Sequence, residues 1–301
     1  GSQSARYQPP STGFLFLKPA FQRALCVPPK GRMMVGTDYK SQEFFIKALL
    51  SKDMKMVNAY LTGDVYTAFG HDSGVMPKGS NKRTHPTLRQ ACKASVLGIS
   101  YSMTCVGLAA KLTQDLKREV TEEEAQEYID MFEETYDVAH DWGQDYLEDF
   151  SDRGYDRLAD GWVMFGDNEN FRSVGNYPVQ GLGSCILRRA IAMAQDKGID
   201  VCVPLHDAAY AEVPLNDWNA VKVFNECMVD AFSYYFEGDM KEYAKKIILD
   251  CEVWSPELEE GARKVGPWEA SVEKIHIDER AVSEYKRFRP YMEQKAGWAL
   301  L

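Results

Sequence analysis

The sequence predicts a mixed fold of α-helices and β-strands, α/β of the α+β kind, on three observations. Residues 32–37 (RMMVGT) have the composition of a strand that delivers Asp38 at its end. Residues 200–214 (DVCVPLHDAAYAEVP) read as a hairpin with His206 and Asp207 at its tip. Helical patterns occupy much of the chain between these two segments, so both kinds of element are expected in quantity.

Composition excludes a disordered chain and a membrane-spanning one. The 301 residues are 45% hydrophobic and 27% charged, which allows a sizeable core in one large domain or two intimate subdomains. Since no run of about 18 apolar residues occurs, no membrane span is expected. The seven cysteines include no CxxC pair, which argues against a zinc knuckle and a disulfide framework, and a reducing, cytosol-like compartment is the default.

The charge is unevenly distributed along the chain. The formal net charge is −10, which at face value argues against a nucleic-acid partner. Residues 1–37 hold five Lys/Arg and residues 73–114 hold six, and neither segment has an acid. Residues 115–160 hold 17 acids against four bases. Two basic segments are therefore left to bind a polyanion, although basic segments are also ordinary solvated surface.

The elements between strand and hairpin follow from local patterns. Residues 8–13 read as irregular chain, 42–51 as a helix, 73–86 as a loop rich in Gly and Pro, and 87–100 as a helix. Thr121 to Glu124 forms a capping box that opens an acidic amphipathic helix. Residues 154–166 suggest short strands, and 182–195 and 216–232 suggest helices. After Trp254 the composition shifts toward a charged helical tail over residues 278–294.

Two aspartates on separate β elements suggest a metal site. Asp38 follows the first strand, and Asp207 lies at the hairpin tip. Two such carboxylates can bridge a pair of divalent ions about 4 Å apart, as phosphoryl transfer by two metals requires, and hard oxygen ligands suit Mg²⁺. Taken singly, an aspartate at a strand end is usually only a turn former or a helix cap.

A series of residues spaced four apart suggests a nucleotide-binding helix face. Arg89, Lys93, Leu97 and Tyr101 follow one another at i+4 and so share one side of a helix. The two cations suit the phosphates of a nucleoside triphosphate, Leu97 suits the sugar or base, and Tyr101 offers a stacking surface. The alternative is a solvated basic face with a buried leucine.

Ordered motifs resemble those of the family A DNA polymerases, the group of bacterial DNA polymerase I and its phage relatives. DYKSQE at 38–43 resembles the first palm motif, RxxxKxxxLGxxYSM at 89–103 resembles the fingers motif, and LHDA at 205–208 resembles the second palm motif. NYPVQG at 176–181 looks like a further element of the family, and residues 154–167 match another in outline. The similarity extends from about Phe16 to Trp254.

The resemblance implies a role for each matching residue. Asp38 and Asp207 would hold two Mg²⁺ ions, with the Tyr39 carbonyl as a further ligand, and Lys93 would be catalytic together with the two aspartates. The nucleotide-binding residues would be Arg89, Lys93, Leu97, Glu43, Gln42, Tyr66 and Tyr101. Glu43 among them would exclude a ribose 2′-hydroxyl. The DNA-binding residues would be Arg172, Gln180, His206 and Asn176, with Gln180 meeting minor-groove acceptors that every base pair offers.

Three residues depart from the family pattern. Ala208 replaces the acid that usually follows the second catalytic aspartate, Leu97 replaces a Phe or Tyr, and Ser102 replaces a Gly. None of these changes removes the metal pair or the cationic pair, so the resemblance still implies activity.

The resemblance also divides the chain. Residues 1–55 would be an arm and the first part of the palm, 56–165 the fingers, 166–254 the second part of the palm, and 255–301 an extension of unassigned role. A helical thumb is expected to be absent, since only 37 residues precede Asp38. The chain is then expected to be a truncated chain, a processed fragment or one half of a split polymerase.

The expected function is DNA-directed DNA synthesis on primer–template DNA with dNTPs. Expected partners include a second polypeptide that supplies thumb and 3′–5′ exonuclease, and the expected location is the cytoplasm of a bacterium or a phage-infected host. A single-subunit RNA polymerase is one alternative, disfavoured by Glu43. A non-catalytic subunit that only binds primer–template is the other, disfavoured by the intact Asp38, Asp207, Arg89 and Lys93.

Overall fold

A computed structural model describes residues 6–7, 27–166, 171–255, 257–258 and 262–265 of the chain. It divides into two compact units, one made of residues 1–40 and 184–301, the other of residues 41–183. The sequence placed subdomain boundaries near residues 55 and 165, and the assignment of palm and fingers to particular residues stays a prediction. Helices and an antiparallel sheet coexist, so the expected fold class is confirmed.

The first unit is built on a five-stranded antiparallel sheet in the order β4-β5-β1-β6-β7. The strands are β1 (Arg32–Tyr39), β4 (Asp200–Leu205), β5 (Ala208–Pro214), β6 (Leu249–Trp254) and β7 (Ala262–Val265). The central strand β1 pairs with β5 on one side and β6 on the other. Because β1 is central, its residues from Met34 to Asp38 have strand partners on both sides, which fixes their neighbours.

One face of the sheet packs on a helix and the other carries polar residues. The Tyr39 hydroxyl donates to the Met228 carbonyl at 2.7 Å, and the Thr37 hydroxyl donates to the Asn225 side chain at 3.1 Å. Both acceptors lie on the helix α9 (Trp218–Tyr234), which is followed by α10 (Gly238–Ala244). Since side chains alternate along a strand, Asp38 points to the opposite face from its two neighbours.

The second unit is mainly helical. Its helices are α1 (Gln42–Ser51), α2 (Met54–Leu61), α3 (Val65–Asp72), α4 (Pro86–Ser100), α5 (Cys105–Leu116), α6 (Glu122–Thr135) and α7 (Asp137–Arg153). Four of these helices start at a residue whose side chain accepts a backbone N–H, namely Asp53, Asp64, Thr104 and Thr121. Such caps satisfy N–H groups that a helix start leaves unpaired, which explains why the helices begin at these residues.

A small hairpin and a long helix complete the described chain. Strands β2 (Tyr155–Arg157) and β3 (Val163–Phe165) pair antiparallel, as expected for residues 154–166. Helix α8 (Phe171–Asp196) contains Pro178, and the boundary between the two units falls inside it. In the portion of the chain that the structure covers, no helix is long and apolar enough to cross a membrane.

Several elements differ from their sequence-based bounds. Strand β1 extends to Tyr39, so Asp38 lies within the strand and not after it. Helix α8 begins at Phe171 and includes the NYPVQG segment, which local patterns left unassigned because Pro and Gly disfavour helix. Helix α9 begins two residues later than expected, since Asp217 caps it by accepting from the Ala220 N–H. The charged tail over 278–294 lies outside the described residues.

Candidate active site

The first unit brings Asp38 and Asp207 together. In the β1–β5 pairing Asp38 lies opposite Ala208, the residue after Asp207. The Tyr39 N–H donates to the Asp207 carbonyl at 3.2 Å, which ties the end of β1 to the turn between β4 and β5. Backbone pairing alone therefore places two carboxylates from distant parts of the sequence beside each other.

The surroundings of the two carboxylates raise both of their pKa values. Loss of hydration raises the pKa of Asp38 well above its ordinary value, and the nearby charges of Asp207, Asp250 and Glu252 raise it further. Burial likewise raises the pKa of Asp207, although Arg6 and His206 oppose that shift. The Asp38 side chain is nevertheless open to solvent. A cation arriving from solution can therefore reach it.

The donor set suits a hard divalent cation. Asp38 and Asp207 offer carboxylate oxygens, which are the ligands that Mg²⁺ prefers. Within the described residues, no three His, Cys, Asp or Glu side chains are arranged as a ready-made metal site. The Tyr39 side chain points into the core, so only the carbonyl of this residue remains for a metal. The two aspartates are suitable ligands for Mg²⁺, and the metal assignment stays a prediction.

The turn that carries Asp207 also positions His206 and an arginine that the motif comparison missed. His206 adopts a left-handed backbone with φ of 52°, a strained conformation for a non-glycine residue. Its N–H donates to the Tyr7 carbonyl at 3.1 Å. Burial lowers the pKa of His206, and the charge of Arg6 lowers it further. Arg6 lies 32 residues before Asp38, in a segment that matches none of the motifs. Only the structure links it to the site, through the effect of its charge on Asp207 and His206.

In the second unit, the two cations predicted to bind the triphosphate lie near the ring of Tyr66. Arg89 and Lys93 lie on α4, one turn apart, and Tyr66 lies in the first turn of α3. The Arg89 guanidinium carbon lies 5.3 Å from the centre of the Tyr66 ring, and the Lys93 ammonium nitrogen lies 5.8 Å from it. Burial raises the pKa of Tyr66, whose hydroxyl is hydrogen-bonded to Ser41. The predicted grouping of these three residues is present in the geometry.

Arg89 also has an anionic partner. Its Nε donates to Asp64 Oδ2 at 2.7 Å, and its terminal nitrogen donates to Asp64 Oδ1 at 2.9 Å. Partial burial by itself would raise the pKa of Asp64, but hydrogen bonds from Arg89 and Thr67 outweigh it and lower that pKa. Asp64 was not identified from the sequence, because an aspartate before a helix is adequately explained as a cap.

The remaining residues of the α4 motif lie toward its end. Leu97 is half-buried, and Tyr101 is 49% exposed just beyond the last turn. Ser102, where the family pattern has Gly, adopts a left-handed backbone with φ of 53°. Its hydroxyl donates to the side-chain oxygen of Asn176 at 3.3 Å. Asn176 thus holds the end of the α4 motif in this structure, and its predicted role toward DNA stays untested.

Residues of the first motif behave differently from one another. Gln42 is buried, with 2% of its surface exposed, and its amide has no hydrogen-bond partner among the described residues. A side-chain carbon on Gly183 would lie 2.7 Å from its Oε1, so this glycine makes the space that the amide occupies.

The other predicted residues are less enclosed or not described. Glu43 and Gln180 are both half-buried. Arg172 lies in α8, and its side chain is outside the described part.

Comparisons with known proteins bear on the family and on the fold. The sequence model of the family described as DNA polymerase family A matches residues 18–241. A solved structure of the POL domain of Pol1 from M. smegmatis, in complex with DNA primer-template and dNTP, is similar in fold with a TM-score of 0.66 and 21% sequence identity. The match covers 84% of this chain and 45% of that chain. No match was found among curated proteins.

Proposed function

Since the chain belongs to DNA polymerase family A, we propose that it catalyses template-directed DNA synthesis, the transfer of a nucleotide from a dNTP to a primer 3′-hydroxyl. The observation that carries the proposal is that the β1–β5 pairing brings Asp38 next to Asp207, in the turn before β5, where burial and nearby carboxylates raise the pKa of Asp38. The proposed location of the reaction is the cytoplasm of a bacterial cell or a phage-infected host.

Asp38, Asp207 and the Tyr39 carbonyl would hold two Mg²⁺ ions. When bound, the ions would supply the Lewis acidity that activates the primer 3′-oxygen and stabilises the leaving pyrophosphate. The backbone bond from Tyr39 to Asp207 supports this role, because it holds both ligand-bearing segments in fixed register before any ion arrives.

Lys93 and Arg89 bind the triphosphate. Both cations lie over Tyr66, and both project from α4 one turn apart, which spaces them for successive phosphate groups. A cation fixed by packing stabilises charge that develops on the leaving phosphates without reorganising during the reaction. Lys93 therefore contributes to the chemical step as well as to binding.

Residues of the first palm motif and of the fingers motif select the sugar and the base. Glu43 occupies the space that a 2′-hydroxyl would need and so favours deoxynucleotides. Leu97 contacts the sugar or base, and the exposed Tyr101 ring offers a surface for the template side of the insertion site. Gln42 is buried directly before Glu43 in the first palm motif and completes the proposed nucleotide-binding set.

Polar residues of each unit, taken separately, are proposed to contact DNA. His206 and Arg6 support the primer end, because both lie at the turn that carries Asp207. Gln180 and Arg172 contact the newly formed duplex, and Asn176 belongs to the same helix. Contacts of this kind check the shape of a base pair or hold phosphate, and they do not read sequence.

A second polypeptide would supply the thumb and the 3′–5′ exonuclease. In this proposal residues 1–55 and 166–254 are palm, 56–165 are fingers, and the segment after Trp254 contributes to docking. Fewer phosphate contacts weaken DNA binding and make it more salt-sensitive. Primer extension in about 150 mM salt with excess trap DNA, with and without the candidate partner, tests this. Long products from the chain alone would contradict it.

Primer extension tests the function itself. A labelled primer–template is incubated with Mg²⁺ and either dNTPs, rNTPs or no nucleotide. Templated extension with dNTPs alone is expected. Extension with rNTPs would favour the RNA polymerase alternative, and DNA binding without extension would favour the non-catalytic subunit. Loss of extension in Asp38→Ala, with DNA binding retained, excludes a contaminating polymerase.

A further inference from the structure

We propose that Asp64 is a positioning residue of the triphosphate site, whose carboxylate holds the Arg89 guanidinium in the orientation that meets the dNTP. The inference rests on the proposed function, because that function gives Arg89 a triphosphate to bind. It concerns residues of the second unit alone. It explains why Arg89, which the fingers motif predicts to bind the phosphates, already forms an ion pair with Asp64.

The contact between Asp64 and Arg89 fixes an orientation as well as a position. The arginine Nε and one terminal nitrogen bind the two carboxylate oxygens separately, at 2.7 and 2.9 Å. A bidentate pair of this kind holds the guanidinium plane parallel to the carboxylate plane. The Arg89 side chain is 16% exposed and that of Asp64 33% exposed, so the pair is better shielded from solvent than an ordinary surface ion pair.

Asp64 is itself held by the start of α3. Its Oδ1 accepts from the Thr67 N–H at 3.3 Å, and its Oδ2 accepts from the Thr67 hydroxyl at 2.9 Å. The carboxylate is therefore fixed at four points, two from Arg89 and two from Thr67. Because the helix start determines the carboxylate plane, it also determines the plane of the arginine.

The arrangement leaves part of Arg89 for phosphate. A guanidinium has five N–H donors, and Asp64 takes one from each of two nitrogens. Within the described residues the donors on the other edge make no hydrogen bond, so they can bind phosphate oxygens. The Tyr66 ring lies 5.3 Å from the guanidinium carbon and limits movement on that side. The first turn of α3 thus provides both the carboxylate and the ring that orient the cation.

Orientation and charge repulsion act in opposite directions at this site. A carboxylate near a triphosphate repels it, while a fixed arginine binds it with less loss of side-chain freedom. The charge of Asp64 is paired with Arg89 at hydrogen-bond distance, so little of it acts on the phosphates. Orientation is then the larger effect, and removing the carboxylate weakens dNTP binding.

The variant Asp64→Asn separates this role from helix capping. Asparagine keeps the size of the residue and is as good a cap as aspartate, but it lacks the charge and one of the two acceptors. We expect KM for dNTP to rise about tenfold, with kcat changed by less than about twofold and the unfolding temperature nearly unchanged. A fall in KM, or an unchanged KM in an active enzyme, would overturn the proposal.

Glu124→Gln is the matched control. Glu124 also forms a two-point pair with an arginine, its Oε2 accepting from Arg118 at 2.9 Å, and its side chain is also 33% exposed. The pair lies in the same unit, and neither residue is assigned to the site. Removing this carboxylate should leave KM for dNTP unchanged, which shows that the effect at Asp64 is not a general consequence of lost charge.

A double-mutant cycle shows whether Asp64 acts through Arg89. Arg89→Ala alone should raise KM, and adding Asp64→Asn to it should have no further effect. Additive effects would mean that Asp64 acts elsewhere. Binding of a fluorescent dNTP, measured by anisotropy, provides a readout besides activity, with an expected tenfold weakening in Asp64→Asn. Wild-type chain that binds dNTP but never extends a primer refutes the proposed function and not this inference.

Discussion

Asp38 and Asp250 lie directly opposite each other in the pairing of β1 with β6. Directly opposed residues of an antiparallel pair project to the same face, so both carboxylates are on the face away from α9. On the other side of Asp38 the opposing residue is Ala208, where the family pattern has an acid. The sheet of the first unit therefore places a carboxylate beside Asp38 from a strand outside the recognised motifs.

Asp38→Ala and Asp207→Ala should each abolish primer extension and leave DNA binding nearly unchanged. Both side chains are proposed metal ligands, whereas most of the binding affinity for DNA comes from contacts between other residues and the DNA phosphates. Asp250→Asn is the matched control, since it removes a carboxylate from the same face without removing a proposed ligand. Steady-state extension and DNA anisotropy measure the two properties. Near-normal extension by either alanine variant would contradict the assignment.

Asp38→Asn should stabilise the metal-free protein, most strongly near neutral pH. The pKa of Asp38 is raised in the folded chain by lost hydration and by Asp207, Asp250 and Glu252. When the pKa of a carboxyl group is higher in the folded chain than in the unfolded chain, its ionised form destabilises the folded state. This loss of folding free energy is complete above the folded-state pKa and disappears as the pH falls below the unfolded-state pKa. Denaturant unfolding in EDTA at several pH values should show a gap between variant and wild type that narrows on acidification.

The effect of Mg²⁺ on the unfolding temperature provides a second test of the Asp38 charge. It should raise the unfolding temperature of the wild-type chain and have little effect on Asp38→Asn, because ligand binding to the folded state stabilises it. A gap between the two proteins that is constant with pH, or equal stabilisation of both by Mg²⁺, would show that Asp38 is not the group responsible.

Glu43→Ala should increase ribonucleotide incorporation. The half-buried Glu43 side chain is expected to fill the space of a ribose 2′-hydroxyl, and alanine would open it. Glu43→Gln keeps the volume and removes the charge, so it should retain most of the selectivity. Single-nucleotide insertion with dNTP and rNTP in competition measures the ratio. An unchanged ratio in the alanine variant would place the selectivity elsewhere.

Leu97→Tyr should relax discrimination against dideoxynucleotides. Leu97 lies one turn after Lys93 on α4 and has no polar atom to replace a missing 3′-hydroxyl. A tyrosine hydroxyl can serve that purpose, and Leu97→Phe is the control that adds the ring alone. The ratio of dNTP to ddNTP incorporation on one template distinguishes them. Equal ratios in all three proteins would refute the role of this position.

Ser102→Ala should destabilise the protein by about 1 kcal/mol, whereas Ser102→Gly should be nearly neutral. The residue has φ of 53° and donates to Asn176. Alanine loses the hydrogen bond and keeps the strained backbone. Glycine also loses the bond but removes the strain, and the two changes nearly cancel. Urea unfolding measures both differences, and a glycine variant less stable than the alanine variant would contradict the strain argument.

Local patterns in the sequence determined much of the fold and the motif residues. The helix over 42–51 has its expected bounds, and the hairpin places His206 and Asp207 in its turn. The i+4 spacing of Arg89 and Lys93 places both on one face of α4 whatever surrounds the helix. These features depend on interactions between residues close in sequence, which is why they can be predicted without tertiary structure.

Tertiary structure alone decided the partners of those residues. Asp250 lies opposite Asp38, Arg6 lies near Asp207, and Asp64 binds Arg89 because strands and helices from distant segments pack together. The buried amide of Gln42 likewise follows from the space left by Gly183, 141 residues later in a chain of 301. The sequence determined which side chains are available, and long-range packing decided the charge, burial and orientation of each, since those depend on neighbours that no local pattern specifies.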